Sequence, residues 1–163
     1  MNKRLLVDIL IVLVLAVAVM IFLFSAQDAK ESSKTSKSVA MVFVRLFRPD
    51  FAQLSSDERW TILHYYDGVV RKAAHCFEFF LLGTFLFLAL HGLKVRACRL
   101  IAWIGGTLYA CSDEFHQMLV DGRGPQIVDV VIDSIGVVLG ILLGMRLLAL
   151  FHRIWPKQEK QET

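Results

Sequence analysis

Long apolar runs alternate with shorter polar stretches along this chain. Each of four runs approaches the roughly 20 residues that an α-helix needs to cross about 30 Å of hydrocarbon. The runs cover residues 5–24, 73–93, 100–120 and 127–151. This pattern predicts an all-α, polytopic membrane protein with four transmembrane helices, in which residues 1–163 form a single domain.

Ionisable residues lie at corresponding ends of the last three runs. The second run opens with Arg71-Lys72-Ala73-Ala74-His75-Cys76-Phe77-Glu78, the third closes with Ser112-Asp113-Glu114-Phe115-His116-Gln117, and the fourth opens with Asp129 and Asp133. Such groups are expensive in hydrocarbon, so they normally face a protein interior or a watery cavity and mark a functional site. A chain that threads the membrane in the simplest way brings all of these ends to one side.

The charge of the short links predicts the orientation. The link of residues 91–99 is basic and contains no acidic residue, which places it in the cytoplasm by the positive-inside rule. Four spans then put both termini in the cytoplasm and the polar helix ends outside. At about 1.5 Å of rise per residue, Glu78, Asp113 and Asp133 lie roughly 8–10 Å below the outer ends of their helices. This match in depth predicts one outward-facing site.

Glycines spaced by four define one face of the last run. Asp129, Asp133, Gly136, Gly140 and Gly144 share this face. Because small residues let helix backbones approach closely, the face is expected to pack inside the bundle rather than against lipid. The same packing would direct both aspartates toward the interior.

The long link of residues 25–70 is predicted to be an extracellular, partly helical loop that roofs the polar ends. Its residues 32–37 are polar and expected to be exposed, whereas residues 39–47 suit a helix lying in the membrane interface. Ser55 and Glu58 have the spacing of a capping box, which predicts a further short helix.

Composition agrees with a membrane domain and narrows the partners. Of the 163 residues 56% are hydrophobic, and the mean hydropathy is +0.56. The net charge of +3 includes no basic stripe interleaved with aromatic residues, so the expected partner is the lipid bilayer and not a nucleic acid. The three cysteines show neither metal-ligand spacing nor a disulfide framework. The first run exceeds the usual length of a signal-peptide core, which favours an uncleaved first helix.

Motifs in three separate helices resemble the VanZ-like family of bacterial membrane proteins. They are Arg71-Lys72-x-x-His75-x-x-Glu78, then Ser112-Asp113-Glu114-Phe115-His116-Gln117 followed by Gly122-Arg123, and then Asp129 to Gly136-x-x-x-Gly140. Phe24-Ser25-x-Gln27 is similar to the family pattern at the end of its first helix. Many members have Asn where this chain has Asp133, so this site is more acidic. The resemblance implies a multi-pass protein of the bacterial cell membrane linked to low-level resistance to teicoplanin-class glycopeptide antibiotics.

One interpretation of the polar cluster is a binding site. Basic side chains there suit a phosphate, pyrophosphate or carboxylate on a lipid headgroup, a cell-wall precursor or a glycopeptide. The candidate binding residues are Arg71, Lys72, Gln117, Arg123, Asp129 and Asp133. The structural alternative is an internal salt-bridge network that holds the helices in register.

A second interpretation is a membrane-embedded hydrolase or transferase, metal-dependent or acid–base, acting on a lipid-linked substrate of the cell envelope. The candidate catalytic residues are His75, Glu78, Asp113, Glu114 and His116. A divalent metal such as zinc would have as its candidate ligands His75, Glu78, Asp113, His116 and Asp133. The inner halves of the helices are apolar, which disfavours a channel. The ligand and the oligomeric state stay open at this level.

Overall fold

The computed structural model describes residues 2–27, 29–120, 124 and 126–154. Within these ranges every regular element is helical: five α-helices and one short 3-10 turn at Phe51–Gln53. The α-helices are α1 (Lys3–Ser25), α2 (Ala29–Phe47), α3 (Ser56–Gly92), α4 (Cys98–Gln117) and α5 (Ile127–Ile154). The all-α prediction is therefore confirmed for the described part of the chain.

Among the described helices, 3 are long and apolar enough to cross a membrane. They are α1, α3 and the Ile127–Phe151 portion of α5. At 20 residues, α4 has a similar length, but polar and charged side chains in its last two turns lower its apolar content. The fourth span therefore stays a prediction.

The helix predicted to be short after Ser55 is in fact the beginning of α3, which continues to Gly92 for 37 residues. The capping box is present: Ser55 Oγ accepts from the Glu58 backbone N–H at 3.3 Å, and the Ser55 N–H donates to Glu58 Oε2 at 2.9 Å. No proline follows until the helix has ended, and Gly68 alone does not stop it. At about 1.5 Å per residue, α3 is about 55 Å long and exceeds a bilayer of about 30 Å.

The first half of α3 serves as the support for α2. Ser33 Oγ donates to Asp67 Oδ2 at 3.0 Å, and Ser36 Oγ donates to the other oxygen of the same carboxylate. Asp67 and Ser36 are both buried, so the expectation that residues 32–37 are exposed is wrong for Ser36. In the turn after α2, two hydrogen bonds from the Arg48 guanidinium lower the pKa of Asp50.

The centre of the bundle is the contact between α3 and α5, and it follows the predicted glycine seam. A Cβ added at Gly136 would collide with the carbonyl oxygen of Cys76, and one at Gly140 with that of Phe80. Thr84 Oγ1 closes the seam with a hydrogen bond to the Gly140 carbonyl at 3.1 Å. The prediction that this face of α5 packs inside the bundle is confirmed.

The seam and α1 together bring the polar helix ends to one end of the bundle. Ser25, the last residue of α1, reaches Asp113 near the end of α4, while Val7 near the start of α1 lies against Gly92 at the end of α3. Asp133 precedes the seam by one turn and is buried toward α3. These helix contacts therefore bring the polar ends of α3, α4 and α5 together.

Candidate functional site

The polar ends of α3, α4 and α5 line a cavity of about 280 Å³. Six of the residues singled out from the sequence line it: Arg71, Lys72, His75, Gln117, Asp129 and Asp133. The remaining lining residues are His64, Gly68, Gly124, Gln126 and Ile132. The structure thus brings into one cavity polar residues that the sequence distributes over three helices.

Two basic residues in one turn of α3 form the rim, and they are engaged to different degrees. Lys72 Nζ donates to Gln126 Oε1 at 3.0 Å and pairs with the Asp129 carboxylate. Arg71 is held more loosely, with Nη2 3.8 Å from Asp67 Oδ2, which is beyond hydrogen-bonding distance. Because Asp67 already accepts bonds from two serines of α2, Arg71 is the rim cation with more donor capacity for a ligand.

A histidine and two aspartates converge at what we call the floor: His75 and Asp133 line the cavity, and Asp113 adjoins them without lining it. One ligand-capable atom from each of His75, Asp113 and Asp133 lies within 4.8 Å of the other two. Only 5% of Asp113 and 4% of Asp133 is exposed. Glu78 adjoins this group, with Oε2 3.5 Å from Nδ1 of His75. Imidazole nitrogen and carboxylate oxygen are the atoms that proteins use to bind divalent cations.

The Asp113 carboxylate is oriented by donors from two helices. Ser25 Oγ donates to Asp113 Oδ2 at 2.9 Å, and Gln117 Nε2 donates to the same oxygen at 2.8 Å. Both hydrogen bonds are accepted by Oδ2, and neither involves Oδ1. Since Ser25 is fully buried, the end of α1 closes this side of the floor.

Two carboxylate oxygens at the floor lack a hydrogen-bond partner among the described residues. They are Glu78 Oε2 and Asp133 Oδ1, and both atoms are buried. Leaving a buried acceptor unsatisfied costs about 1–3 kcal/mol, and more when the group is charged. Native proteins satisfy most such groups, so an exception indicates a functional role or a bound water or ion.

Four of the described candidate residues do not line the cavity: Glu78 and Asp113, which adjoin His75, and Glu114 and His116. The His116 ring stacks on Phe22 of α1, with ring centroids 4.6 Å apart. Glu114 is buried and accepts the Gln126 backbone N–H at 2.5 Å, which ties the start of α5 to α4. Arg123 lies outside the described residues. Glu114 thus supports the cavity wall, and His116 packs against α1.

Two residues that matter to the geometry were not selected from the sequence as site residues. Asp67 supports the rim, and its signal was the four-residue spacing to Arg71, at which opposite charges on a helix interact. Ser25 orients Asp113 from 88 positions away along the chain. No local pattern identifies such a contact, because it arises from the packing of α1 on α4.

Comparison with known proteins adds the family. The model of the VanZ/LLP1 family matches residues 10–151. The chain belongs to the VanZ/LLP1 family. The VanZ/LLP1 match includes every residue that lines the cavity, and it confirms the family expected from the motifs. No curated protein matches the chain, and no solved structure does. Together with its three membrane-competent helices, membership identifies this VanZ/LLP1 chain as a helical membrane protein.

Proposed function

We propose that this VanZ/LLP1 protein recognises an anionic group of a cell-surface ligand in its polar cavity and thereby lowers susceptibility to teicoplanin-class glycopeptide antibiotics. In this proposal α1, α3, α4 and α5 span the bacterial cell membrane. Both termini are cytoplasmic, and the cavity opens to the outside. The observation that supports it most is the cavity itself, which has loosely paired Arg71 at its rim.

The chemistry of the rim favours an oxyanion. A guanidinium presents a planar fork of N–H donors that fits a phosphate or a carboxylate through two parallel hydrogen bonds. Arg71 is 30% exposed, so a ligand can reach it. Lys72 is next to it and adds positive charge, although Gln126 and Asp129 share its ammonium group.

The size of the cavity limits the ligand to a small group. Pockets for drug-sized molecules usually measure about 300–1,000 Å³. At about 280 Å³ this one suits a phosphate, a pyrophosphate or the carboxylate end of a peptide, but not a whole glycopeptide antibiotic. We therefore favour the anionic headgroup of a cell-wall precursor over direct capture of the antibiotic.

Replacement of Arg71 tests the proposal. Arg71→Gln removes the guanidinium, whereas Arg96→Gln removes the same charge from an exposed position in the α3–α4 link. Purified protein is titrated with inorganic pyrophosphate and with a dipeptide that has a free carboxylate. A hydrogen bond to a charged group contributes about 1.5–3 kcal/mol, so Arg71→Gln should weaken binding by about 10-fold or more.

The same pair of variants is then compared in a glycopeptide-susceptible bacterium by measuring the teicoplanin concentration that stops growth. Wild type and Arg96→Gln should raise this concentration, and Arg71→Gln should not. Equal binding and equal protection by the two variants, at equal membrane abundance, would contradict the proposal.

A further inference from the structure

The floor of the cavity has the features of a cation site. His75 comes from α3, Asp113 from α4 and Asp133 from α5, and one ligand-capable atom of each lies within 4.8 Å of the others. We infer that these three side chains bind one divalent transition-metal ion. Each ligand comes from a different helix, so the ion would join the three helices at their polar ends.

The spacing of the ligand atoms is close to that of a formed site. Imidazole nitrogen and carboxylate oxygen bind zinc at about 2.0–2.2 Å, which places two ligand atoms of one ion about 3–4 Å apart. The observed limit of 4.8 Å exceeds this by an amount that side-chain rotation can supply.

The unpartnered oxygen of Asp133 points to a ligand independently of the clustering. Asp133 is 96% buried, since only 4% of it is exposed, and its Oδ1 has no hydrogen-bond partner among the described residues. Asp133 also lines the cavity, so its carboxylate lies at the same site. Two carboxylates held close together away from water repel each other, and a divalent cation converts this repulsion into attraction.

The surroundings of the ligands match those of known metal sites. Metal-binding side chains are usually oriented by further hydrogen bonds. Asp113 Oδ2 receives such bonds from Ser25 and Gln117. Glu78 Oε2 lies 3.5 Å from Nδ1 of His75, in the position of a carboxylate that orients a histidine ligand. Ser25, Gln117 and Glu78 are therefore positioning residues in this arrangement.

The ligand types select among ions. One imidazole and two carboxylates suit Zn²⁺ or Mn²⁺, whereas Mg²⁺ and Ca²⁺ prefer oxygen ligands alone. Binding of the ion does not require the anionic ligand. The ion could have a second role if it also contacted the anionic ligand, across the cavity from Arg71. That role rests on the proposed function.

Metal binding by the purified full chain tests the inference directly. Protein stripped with a chelator is titrated with Zn²⁺ and Mn²⁺, and bound metal is measured after desalting. Wild type should retain one equivalent. Asp133→Asn and His75→Gln should weaken affinity by about 100-fold or more, and Glu78→Gln by about 10-fold, as for an orienting residue.

Asp57→Asn is the matched control. It makes the same change of carboxylate to amide at an exposed position in the first turn of α3, and Asp57 does not line the cavity. The control should bind the ion as wild type does. If wild type retains no metal, if Asp133→Asn and His75→Gln bind it normally, or if Asp57→Asn is equally impaired, the site is not the one inferred.

A spectroscopic measurement on wild type covers the case in which a variant does not fold. Pulsed electron paramagnetic resonance of bound Mn²⁺ should show coupling to one imidazole nitrogen, and a spectrum without it would overturn the inference. Pyrophosphate titration of Arg71→Gln remains a separate experiment. Metal binding without pyrophosphate binding would remove the proposed function alone, and the converse would remove the cation site alone.

Discussion

Gly136→Ala should affect both the stability of the bundle and the geometry of the cavity floor. Gly136 follows Asp133 on α5 and lies against the Cys76 carbonyl on α3, next to His75. An added Cβ would collide with the Cys76 carbonyl oxygen and would lie 3.2 Å from the carbonyl carbon and from the Phe80 nitrogen. These are backbone atoms, so a side-chain rotation cannot relieve the collision. The two helices must separate.

The magnitude follows from this separation. Restoring ordinary contacts of about 3.5 Å requires α3 and α5 to move apart by about 1 Å. Overpacking of this kind costs about 1–3 kcal/mol, and the better helix propensity of Ala returns at most about 1 kcal/mol. We expect a net loss of about 1–2 kcal/mol, or a fall of about 2–8 °C in Tm. Metal sites tolerate deviations of about 0.2 Å, so Zn²⁺ affinity should fall by about 10-fold or more.

Two other glycines separate the effects on stability and on the site. Gly105→Ala places its Cβ in ordinary contact, 3.7 Å from Leu86 Cδ2, and should leave both quantities unchanged. Gly144→Ala meets the Phe87 ring at 2.6 Å, about 16 Å along α5 from Asp133, and should lower stability alone. Thermal unfolding in detergent with and without Zn²⁺ measures both quantities. If Gly136→Ala matches Gly105→Ala in Tm and in Zn²⁺ affinity, the close packing of α3 on α5 does not determine the site.

Two further predictions concern the orientation and the attachment of α2. In a background without native cysteines, a membrane-impermeant maleimide applied to intact cells should label His64→Cys, which lies at the cavity. It should not label Lys94→Cys in the α3–α4 link. The reverse labelling pattern would contradict the proposed cytoplasmic location of the termini. Asp67→Asn replaces the carboxylate that accepts the Ser33 and Ser36 hydroxyl hydrogen bonds with a weaker acceptor, so it should increase amide hydrogen exchange in α2 but not in α5. Unchanged exchange in α2 would mean that apolar packing alone holds α2 against α3.

Features with a local or periodic cause could be predicted from the sequence. The last apolar run was expected to begin at residue 127, where α5 begins, because a membrane helix requires an uninterrupted apolar segment. The four-residue spacing of Gly136 and Gly140 indicated a close helix contact, since side chains at this spacing share a face. The capping box at Ser55 depends on residues three apart and was found as expected.

Features that depend on distant contacts could not be predicted in the same way. Residues 32–37 read as an exposed polar stretch, but Asp67 of α3 accepts the Ser36 hydroxyl and makes its burial possible. The contact of Ser25 with Asp113 depends on how α1 packs on α4. His116 was a candidate catalytic residue and metal ligand, whereas its ring stacks on Phe22 of α1 and does not line the cavity. Helical spacing places a residue on a face of its helix to within about 100°, but it does not determine which residue of a neighbouring helix packs against that face.

The distribution of hydrogen bonds among the carboxylates weighs against a purely structural network. The Asp113 carboxylate accepts hydrogen bonds from the Ser25 hydroxyl and the Gln117 amide, and the Asp129 carboxylate accepts one from the Lys72 ammonium group. Glu78 and Asp133 each have a buried oxygen without a partner among the described residues. A polar network that only held the helices in register would be most stable with every member satisfied, because a half-satisfied one is less stable than an apolar core. Both unsatisfied carboxylates lie beside His75. Their position favours binding of a further group at the floor of the cavity over a role in packing alone.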